Sequence, residues 1–127
     1  DFMFETWGKL CDMTLLPTAP AVNDAYYFGL ASLWDWLSFY LPHNGQGTWT
    51  ITWEYWDSAV WKAIPNVYDT SSGFHSSDWH SVAFLPPSDW ALLTILGLNL
   101  YWIRARVSAF TSMATQPLGT QAWIGVH

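Results

Sequence analysis

Charged residues are scarce in this chain, and basic residues are the scarcest. The 127 residues include four Lys and Arg against ten Asp and Glu, so charged residues make up 11% and the formal net charge is −6. A typical soluble domain has about 25% charged residues. Proteins that bind nucleic acids or anionic membranes need clustered basic residues to face the phosphates. Four basic residues cannot form such a cluster, which argues against nucleic acid and membrane as partners.

Cysteine and long apolar runs are also lacking. The single cysteine, Cys11, excludes a disulfide within the chain. We expect it to be a small buried residue or, alternatively, half of an intermolecular bridge. The longest apolar run, residues 92–100, is interrupted by Thr94, Gly97 and Asn99 and is far shorter than the roughly 20 residues of a membrane-spanning helix. Length and composition favour one domain with an ordinary hydrophobic core.

Aromatic residues, in contrast, are abundant. The chain contains 11 Trp, 6 Tyr and 7 Phe, which together make up 19% of its residues. One small core cannot hold that many rings, so we expect some of them at the surface. Exposed aromatic patches usually mark contacts with partners.

Short apolar segments separated by turn residues follow one another along the chain. This pattern predicts an all-β domain, a jelly-roll-like antiparallel β-sandwich with about seven to eight strands. We expect an irregular N-terminal arm over residues 1–24 and the sandwich over residues 25–127. A single helical turn, capped by Asp89, is predicted over residues 89–93. The predicted strands span residues 25–29, 33–41, 48–56, 60–64, 80–85, 100–107 and 121–126.

Two of these segments alternate clearly between apolar and polar positions. Residues on one side of a strand recur at every second position, so each segment predicts its own core face. Strands 48–56 and 100–107 should be central, with Trp53 and Ile103 buried, and Glu54 should pair with Arg104 or Arg106 on the outer face. The predicted inward residues are Trp49, Ile51, Trp53, Tyr55, Tyr101, Ile103, Ala105 and Val107, and Trp102, Arg104 and Arg106 should point outward.

The alternation in residues 33–41 predicts a contact surface. If Leu37, Phe39 and Leu41 face the core, then Trp34, Trp36 and Tyr40 form an outward row. We expect this row to lie against another protein chain, because a large exposed aromatic patch is poorly tolerated on a monomer. The aromatic residues of the arm, which are Phe2, Phe4 and Trp7, are predicted to belong to the same interface.

Residue patterns that support catalysis or metal binding are weak. His75, Asp78 and His80 lie close in sequence, but they lack the spacing and the partner Cys pair of a zinc site. Asp57, Asp69 and Asp78 form no calcium loop, and Glu54 with Asp69 would be a glycosidase pair only by default. No Gly-x-Ser-x-Gly motif occurs. We therefore expect no catalytic residue, no metal and no cofactor, and the chain is predicted not to be an enzyme.

Several of these segments together resemble a known pattern. The runs WTITWEYW at residues 49–56, PSDW at 87–90, YWIRARV at 101–107 and TQPLGTQAW at 115–123 occur in this order, with Trp61, Asp69-Thr70, Gly73-Phe74 and VAF at 82–84 between them. The order is similar to that of a β-sandwich domain in virion proteins of tailed bacteriophages, over about residues 20–124. The chain departs from that pattern at Asp57-Ser58, where an Asn-Gly hairpin is usual. Structural roles are expected for Trp53, Glu54, Trp90, Arg104 and Arg106, with Trp90 closing one end of the sandwich.

The resemblance implies a non-enzymatic structural protein of the virion, either a capsid decoration (cement) protein or a tail-associated domain. Its partners would be other virion proteins and further copies of itself in a homo-oligomer. The alternative is a carbohydrate-binding or adhesin module, for which a glycan would be the ligand. Aromatic residues buried between subunits would favour assembly, and an isolated aromatic row beside a groove would favour sugar binding.

Overall fold

The prediction of an all-β protein is confirmed. The computed structural model describes the backbone of residues 2–3 and 13–126 and the side chains of residues 14–120 and 122–126, and this part of the chain contains no helix. Eight of its strands have three or more residues. The strands are β1 (Phe2–Met3), β2 (Met13–Thr14), β3 (Ala25–Leu30), β4 (Trp36–Leu41), β5 (Gln46–Trp56), β6 (Trp61–Ala63), β7 (Tyr68–Asp69), β8 (Asp78–Ala83), β9 (Leu92–Ile95), β10 (Leu98–Thr115), β11 (Leu118–Gly119) and β12 (Gln121–Gly125).

Two sheets form a sandwich. The first sheet has the order β1-β3-β10-β5-β6, and β9 pairs with the beginning of β10. The second sheet has the order β12-β4-β8-β7, and the short pair β2–β11 completes the fold. All pairs are antiparallel except β1 with β3. The longer strands β3, β4, β5, β8, β10 and β12 alternate between the two sheets, which is the jelly-roll-like feature of this sandwich.

The core lies between the two sheets. The apolar residues at every second position of β4, β5 and β10 point into it. Leu37, Phe39 and Leu41 are fully buried, as predicted for the inward face of β4. Strand β10 is central and β5 pairs with it, and Trp53 and Ile103 are 3% and 0% exposed, which confirms both predictions. Each large apolar side chain buried in this way contributes about 1.5–3 kcal/mol to folding.

Trp102 lies on the outer face of β10, as predicted, but its ring is fully buried and not exposed to solvent. Strand β9 lies close to this ring, and the indole Nε1 donates a hydrogen bond to the carbonyl of Leu93 at 2.8 Å. Alternation within one strand cannot reveal that a neighbouring strand covers its outer face.

The predicted helical turn at residues 89–93 is also wrong. Residues 92–95 form β9, which makes a hairpin with β10 through Leu96 and Gly97. Both turn residues have positive φ, 50° and 80°, as in the two-residue turns that suit antiparallel strands. The hairpin bonds satisfy backbone groups that a single helical turn would leave without partners.

The described N-terminal segment packs on the sandwich. β1 pairs with β3, β2 pairs with β11, and the backbone N–H of Asn23 donates to the carbonyl of Val107 at 2.8 Å. Leu15 belongs to the main core, whereas Leu16 packs in a smaller cluster with Trp49 and Val107. Residues 13–24 are therefore held by both backbone bonds and buried side chains.

Gly29 allows the ring of Trp102 to lie against β3, and its replacement tests this packing. A Cβ at Gly29 would lie 2.6 Å from Cε3 of Trp102. Because that ring is enclosed, we expect Gly29→Ala to lower the free energy of unfolding by about 1–3 kcal/mol in urea titrations. Gly125→Ala is the matched control, since a Cβ there meets no atom within 4 Å. Equal stability of the two variants would contradict this packing.

Candidate functional site on the outer face of the second sheet

Four aromatic side chains share the outer face of the second sheet. Because Leu37 and Phe39 point into the core, the intervening residues of β4 point outward. Trp79 of β8 is paired with Tyr40, and Trp123 of β12 is paired with Ser38, so they lie on the same side. We call Trp36, Tyr40, Trp79 and Trp123 the aromatic face.

Ring contacts fix the positions of three of these side chains. Trp79 stacks on Trp123, with ring centroids 5.2 Å apart and an angle of 29° between the planes. The same ring contacts Tyr40 at 5.2 Å with a tilt of 51°. Trp79 is nevertheless 49% exposed, so much of its surface remains accessible. A ring that is held in place yet exposed loses little entropy when it binds a ligand.

A shallow groove lies beside Trp79. Its volume is about 400 Å³, and it is lined by Trp36, Ser38, Thr70, Trp79, His80 and Ser81. Thr70 holds one side in place, because its Oγ1 accepts a hydrogen bond from the backbone N–H of Ser81 at 2.9 Å. His80 Nε2 lies 2.7 Å from the carbonyl of Ser77, and since a carbonyl only accepts, this nitrogen carries the proton. The groove thus combines indole rings with hydroxyl groups.

Of the predicted outward row, Trp36 and Tyr40 lie on the aromatic face, but Trp34 does not. Trp34 is fully buried, and its Nε1 donates to the carbonyl of Tyr101 at 2.9 Å. Its prediction as a partner-binding residue is therefore wrong. The reason is that β4 begins only at Trp36, so the alternation does not extend back to Trp34. Trp34 instead fills the space between the sheets beside Phe84 and Trp90.

Other predicted contact residues lie outside the described side chains. The backbone of Phe2 belongs to β1, whereas Phe4, Trp7 and Cys11 fall in the part of the chain that is not described. Their role in an interface stays a prediction. Trp79 was missed because the predicted strand began at residue 80, although Trp79, Ser81 and Ala83 do alternate with Val82 in the sequence.

The predicted pair of Glu54 with an arginine is confirmed on the outer face of the first sheet, and both arginines take part. Glu54 Oε1 accepts from Nε of Arg104 at 2.7 Å and from Nε of Arg106 at 3.0 Å. The guanidinium of Arg104 also lies 4.5 Å from the ring centroid of Trp61. Burial raises the pKa of Glu54, but the hydrogen bonds and charges of Arg106 and Arg104 outweigh it and hold that pKa below its ordinary value. This carboxylate ties β5 to β10, and Arg104 extends the contact to Trp61 of β6.

Trp90 packs inside the sandwich, as its structural role requires. Its Nε1 donates to the carbonyl of Trp102 at 3.0 Å, and its ring contacts Trp34. The neighbouring Asp89 caps no helix and instead accepts a hydrogen bond from the Tyr55 hydroxyl at 2.7 Å. This bond raises the pKa of Tyr55 and, with Lys62, lowers the pKa of Asp89. The turn after β8 is thereby fastened to β5.

The loop after β7 is organised by Asp69. Its carboxylate accepts from the indole Nε1 of Trp53 at 3.0 Å and from the backbone N–H groups of Ser71 and Gly73 at 2.8 and 3.0 Å. His75 stacks on another indole, that of Trp49, with ring centroids 4.1 Å apart. These residues have structural partners, and no group of three or more His, Cys, Asp and Glu that could hold a metal ion occurs among the described residues.

Exposed apolar side chains gather at one end of the sandwich. Strand pairing places the end of β3, the start of β4, the ends of β8 and β12 and the β9–β10 hairpin there. Among residues 30–35, 84–100 and 125–126, which surround this end, the charged ones are Asp35 and Asp89. We call this surface the apolar end, and it consists of Leu33, Leu85, Leu92, Leu96 and Val126, which are 43–82% exposed.

Searches for similarity give no assignment for these surfaces. No helix that could span a membrane is found in the described residues. Comparison with protein-family models, with curated proteins and with solved structures finds no match to this chain.

Proposed function

We propose that this chain is a non-enzymatic structural domain of a virion, a capsid decoration or tail-associated protein, which is anchored to neighbouring protein through its apolar end. The observation that carries the proposal is the gathering of five exposed apolar side chains at one end of the sandwich. Exposed apolar side chains that gather in one region of a soluble protein often mark interaction surfaces. The neighbour is another virion protein or a further copy of the chain.

Charge favours this end over the rest of the surface for close packing between copies. Each copy has a formal net charge of −6, so contacts between acidic surfaces would repel. Residues 30–35, 84–100 and 125–126 around the apolar end contain two charged residues, Asp35 and Asp89, so this cost is smaller there. Burial of five partly exposed side chains contributes on the order of 5 kcal/mol, which suits the centre of a larger interface.

The residues behind the resemblance to phage virion domains have consistent roles in this fold. Trp53 and Trp90 pack in the core, and Glu54 of β5 pairs with both arginines of the neighbouring strand β10. These are architectural roles, as a structural virion domain requires. They support the proposal because the residues that resemble the phage pattern are also residues that hold this β-sandwich together.

We expect the double variant Leu85→Asp with Leu96→Asp to lose self-association and binding to particles while it stays folded. Both side chains are strongly exposed, 82% and 76%, so their replacement does not disturb the core, whereas buried carboxylates would oppose the interface. Val22→Asp is the matched control, because Val22 is 51% exposed and precedes β3 at the opposite end. Sedimentation velocity and co-sedimentation with particles measure the outcome, and unchanged assembly of the double variant would refute the proposal.

A second candidate function is a carbohydrate-binding or adhesin module. The observation that favours it is the groove between Trp36 and Trp79, which has hydroxyl groups along its floor. The two functions use different surfaces, so one virion protein can carry both.

A further inference from the structure

The groove of the aromatic face has the size and chemistry for one particular class of ligand. We infer that it binds a single neutral pyranose, the terminal or internal sugar of an uncharged glycan. This inference rests on the second candidate function and names its ligand and the residues that hold it.

The spacing of the two tryptophans leaves room for one sugar ring. Trp79 is paired with Tyr40, which is four residues from Trp36 along β4. At about 3.4 Å per residue, the two tryptophans are attached roughly 14 Å apart along the strand direction. The groove between them has a volume of about 400 Å³, within the usual range for small-ligand sites.

The two sides of a pyranose match the two kinds of group in the groove. The face of an indole ring is electron-rich, and it attracts the slightly positive C–H groups on the apolar side of a sugar ring. Trp79 offers such a surface and is held in position by its stack on Trp123. The hydroxyls of Ser38 and Ser81 line the floor, where they can bond to sugar hydroxyls.

Charge decides between neutral and acidic sugars. Lys62, Arg104 and Arg106 all belong to strands of the first sheet, on the other side of the sandwich. No Lys or Arg lines the groove in the described part of the chain, so a carboxylate, sulfate or phosphate would meet no counter-charge. The net charge of −6 repels such ligands further. A sialic acid, a uronic acid or a sulfated sugar is therefore disfavoured.

A proline-rich peptide is the other kind of ligand that docks between aromatic rings. The floor argues against it. A proline ring laid between Trp36 and Trp79 would cover the hydroxyls of Ser38 and Ser81 without bonding to them, and buried hydroxyls without partners are costly. A sugar satisfies them.

The test is a titration of the isotope-labelled full chain with methyl glycosides of neutral hexoses, followed by an array of neutral and acidic oligosaccharides. We expect shifts of the Trp36 and Trp79 indole resonances and binding to neutral members of the array only. Trp79→Ala should lower the affinity at least 10-fold, and Ser38→Ala and Ser81→Ala should each lower it several-fold. Thermal unfolding shows that the variants remain folded.

The double variant Leu85→Asp with Leu96→Asp separates this inference from the assembly proposal. It should keep full sugar affinity, whereas Trp79→Ala should keep assembly. The inference is overturned if no neutral hexoside shifts these resonances, or if Trp79→Ala binds sugars like the original chain. Stronger binding of sialyllactose, or binding of a proline-rich peptide in place of sugars, would overturn it as well.

Discussion

Trp34→Ala should lower the free energy of unfolding by about 3–5 kcal/mol, the usual cost of removing a fully buried tryptophan. The ring is 0% exposed and contacts Phe84 and Trp90 with centroids 5.3 and 5.4 Å away. Its removal opens a cavity between the sheets and leaves the carbonyl of Tyr101 without the indole donor. Since whole domains are stable by only about 5–15 kcal/mol, much of the variant will be unfolded under mild denaturing conditions.

Trp79→Ala is the matched control for this variant, because it removes the same side chain from an exposed position. It loses the ring contacts with Trp123 and Tyr40, and such pairs are worth about 0.5–1.5 kcal/mol. Urea titrations followed by circular dichroism measure both variants. A folded Trp34→Ala variant that has lost only partner binding would restore Trp34 as an interface residue.

Glu54→Gln should be nearly as harmful, with a loss of about 2–4 kcal/mol at neutral pH, although it changes few atoms. Glu54 is 7% exposed, and its carboxylate accepts from both Arg104 and Arg106. Removal of its charge leaves two partly buried guanidinium groups without an anion. Removing one partner of a buried ion pair in this way is strongly destabilising, because the remaining charge is buried without compensation. Lys62→Gln, which breaks the more exposed pairs with Asp57 and Asp89, should leave the unfolding midpoint nearly unchanged.

The contribution of Glu54 should also depend on pH. Its pKa in the folded chain is lowered from the ordinary value of 4.5. A carboxyl group with a lowered pKa stabilises the fold fully above its ordinary pKa, and this contribution disappears as the pH falls through the folded value. The difference in stability between the original chain and Glu54→Gln should therefore be largest at pH 7 and smaller at pH 3. An unchanged difference would show that hydrogen-bond geometry, and not charge, matters at this position.

Most of the core could be predicted from the sequence because it depends on alternation within single strands. Leu37, Phe39 and Leu41 face inward for that reason, and Glu54 reaches Arg104 because two alternating strands pair in register. The errors arise where the environment of a residue is set by a distant segment. Trp102 is enclosed although its position in the strand is outward, and Trp34 precedes the strand to which it was assigned.

The aromatic face could be predicted only in part. Trp36 and Tyr40 are on one strand, so their common side follows from their spacing. Trp79 and Trp123 join them through strand pairing between β4, β8 and β12, which no local pattern reveals. The apolar end shows the same limit, because its five side chains come from separate parts of the chain that meet only when both sheets are complete.

The alternation of long strands between the sheets affects how the chain reaches its native state. Few neighbouring strands are also consecutive, and the antiparallel pairs β5–β6, β7–β8 and β9–β10 are the short-range exceptions among the described strands. The centre of the first sheet pairs Arg104 with both Tyr27 and Glu54, so it forms only after most of the chain has been brought together. Topologies with such distant pairings fold slowly, in milliseconds to seconds. During synthesis, β3, β4 and β5 emerge well before β10 and β12, and their tryptophans and phenylalanines stay exposed in the meantime. Newly made chains are therefore vulnerable to aggregation until the last strands arrive.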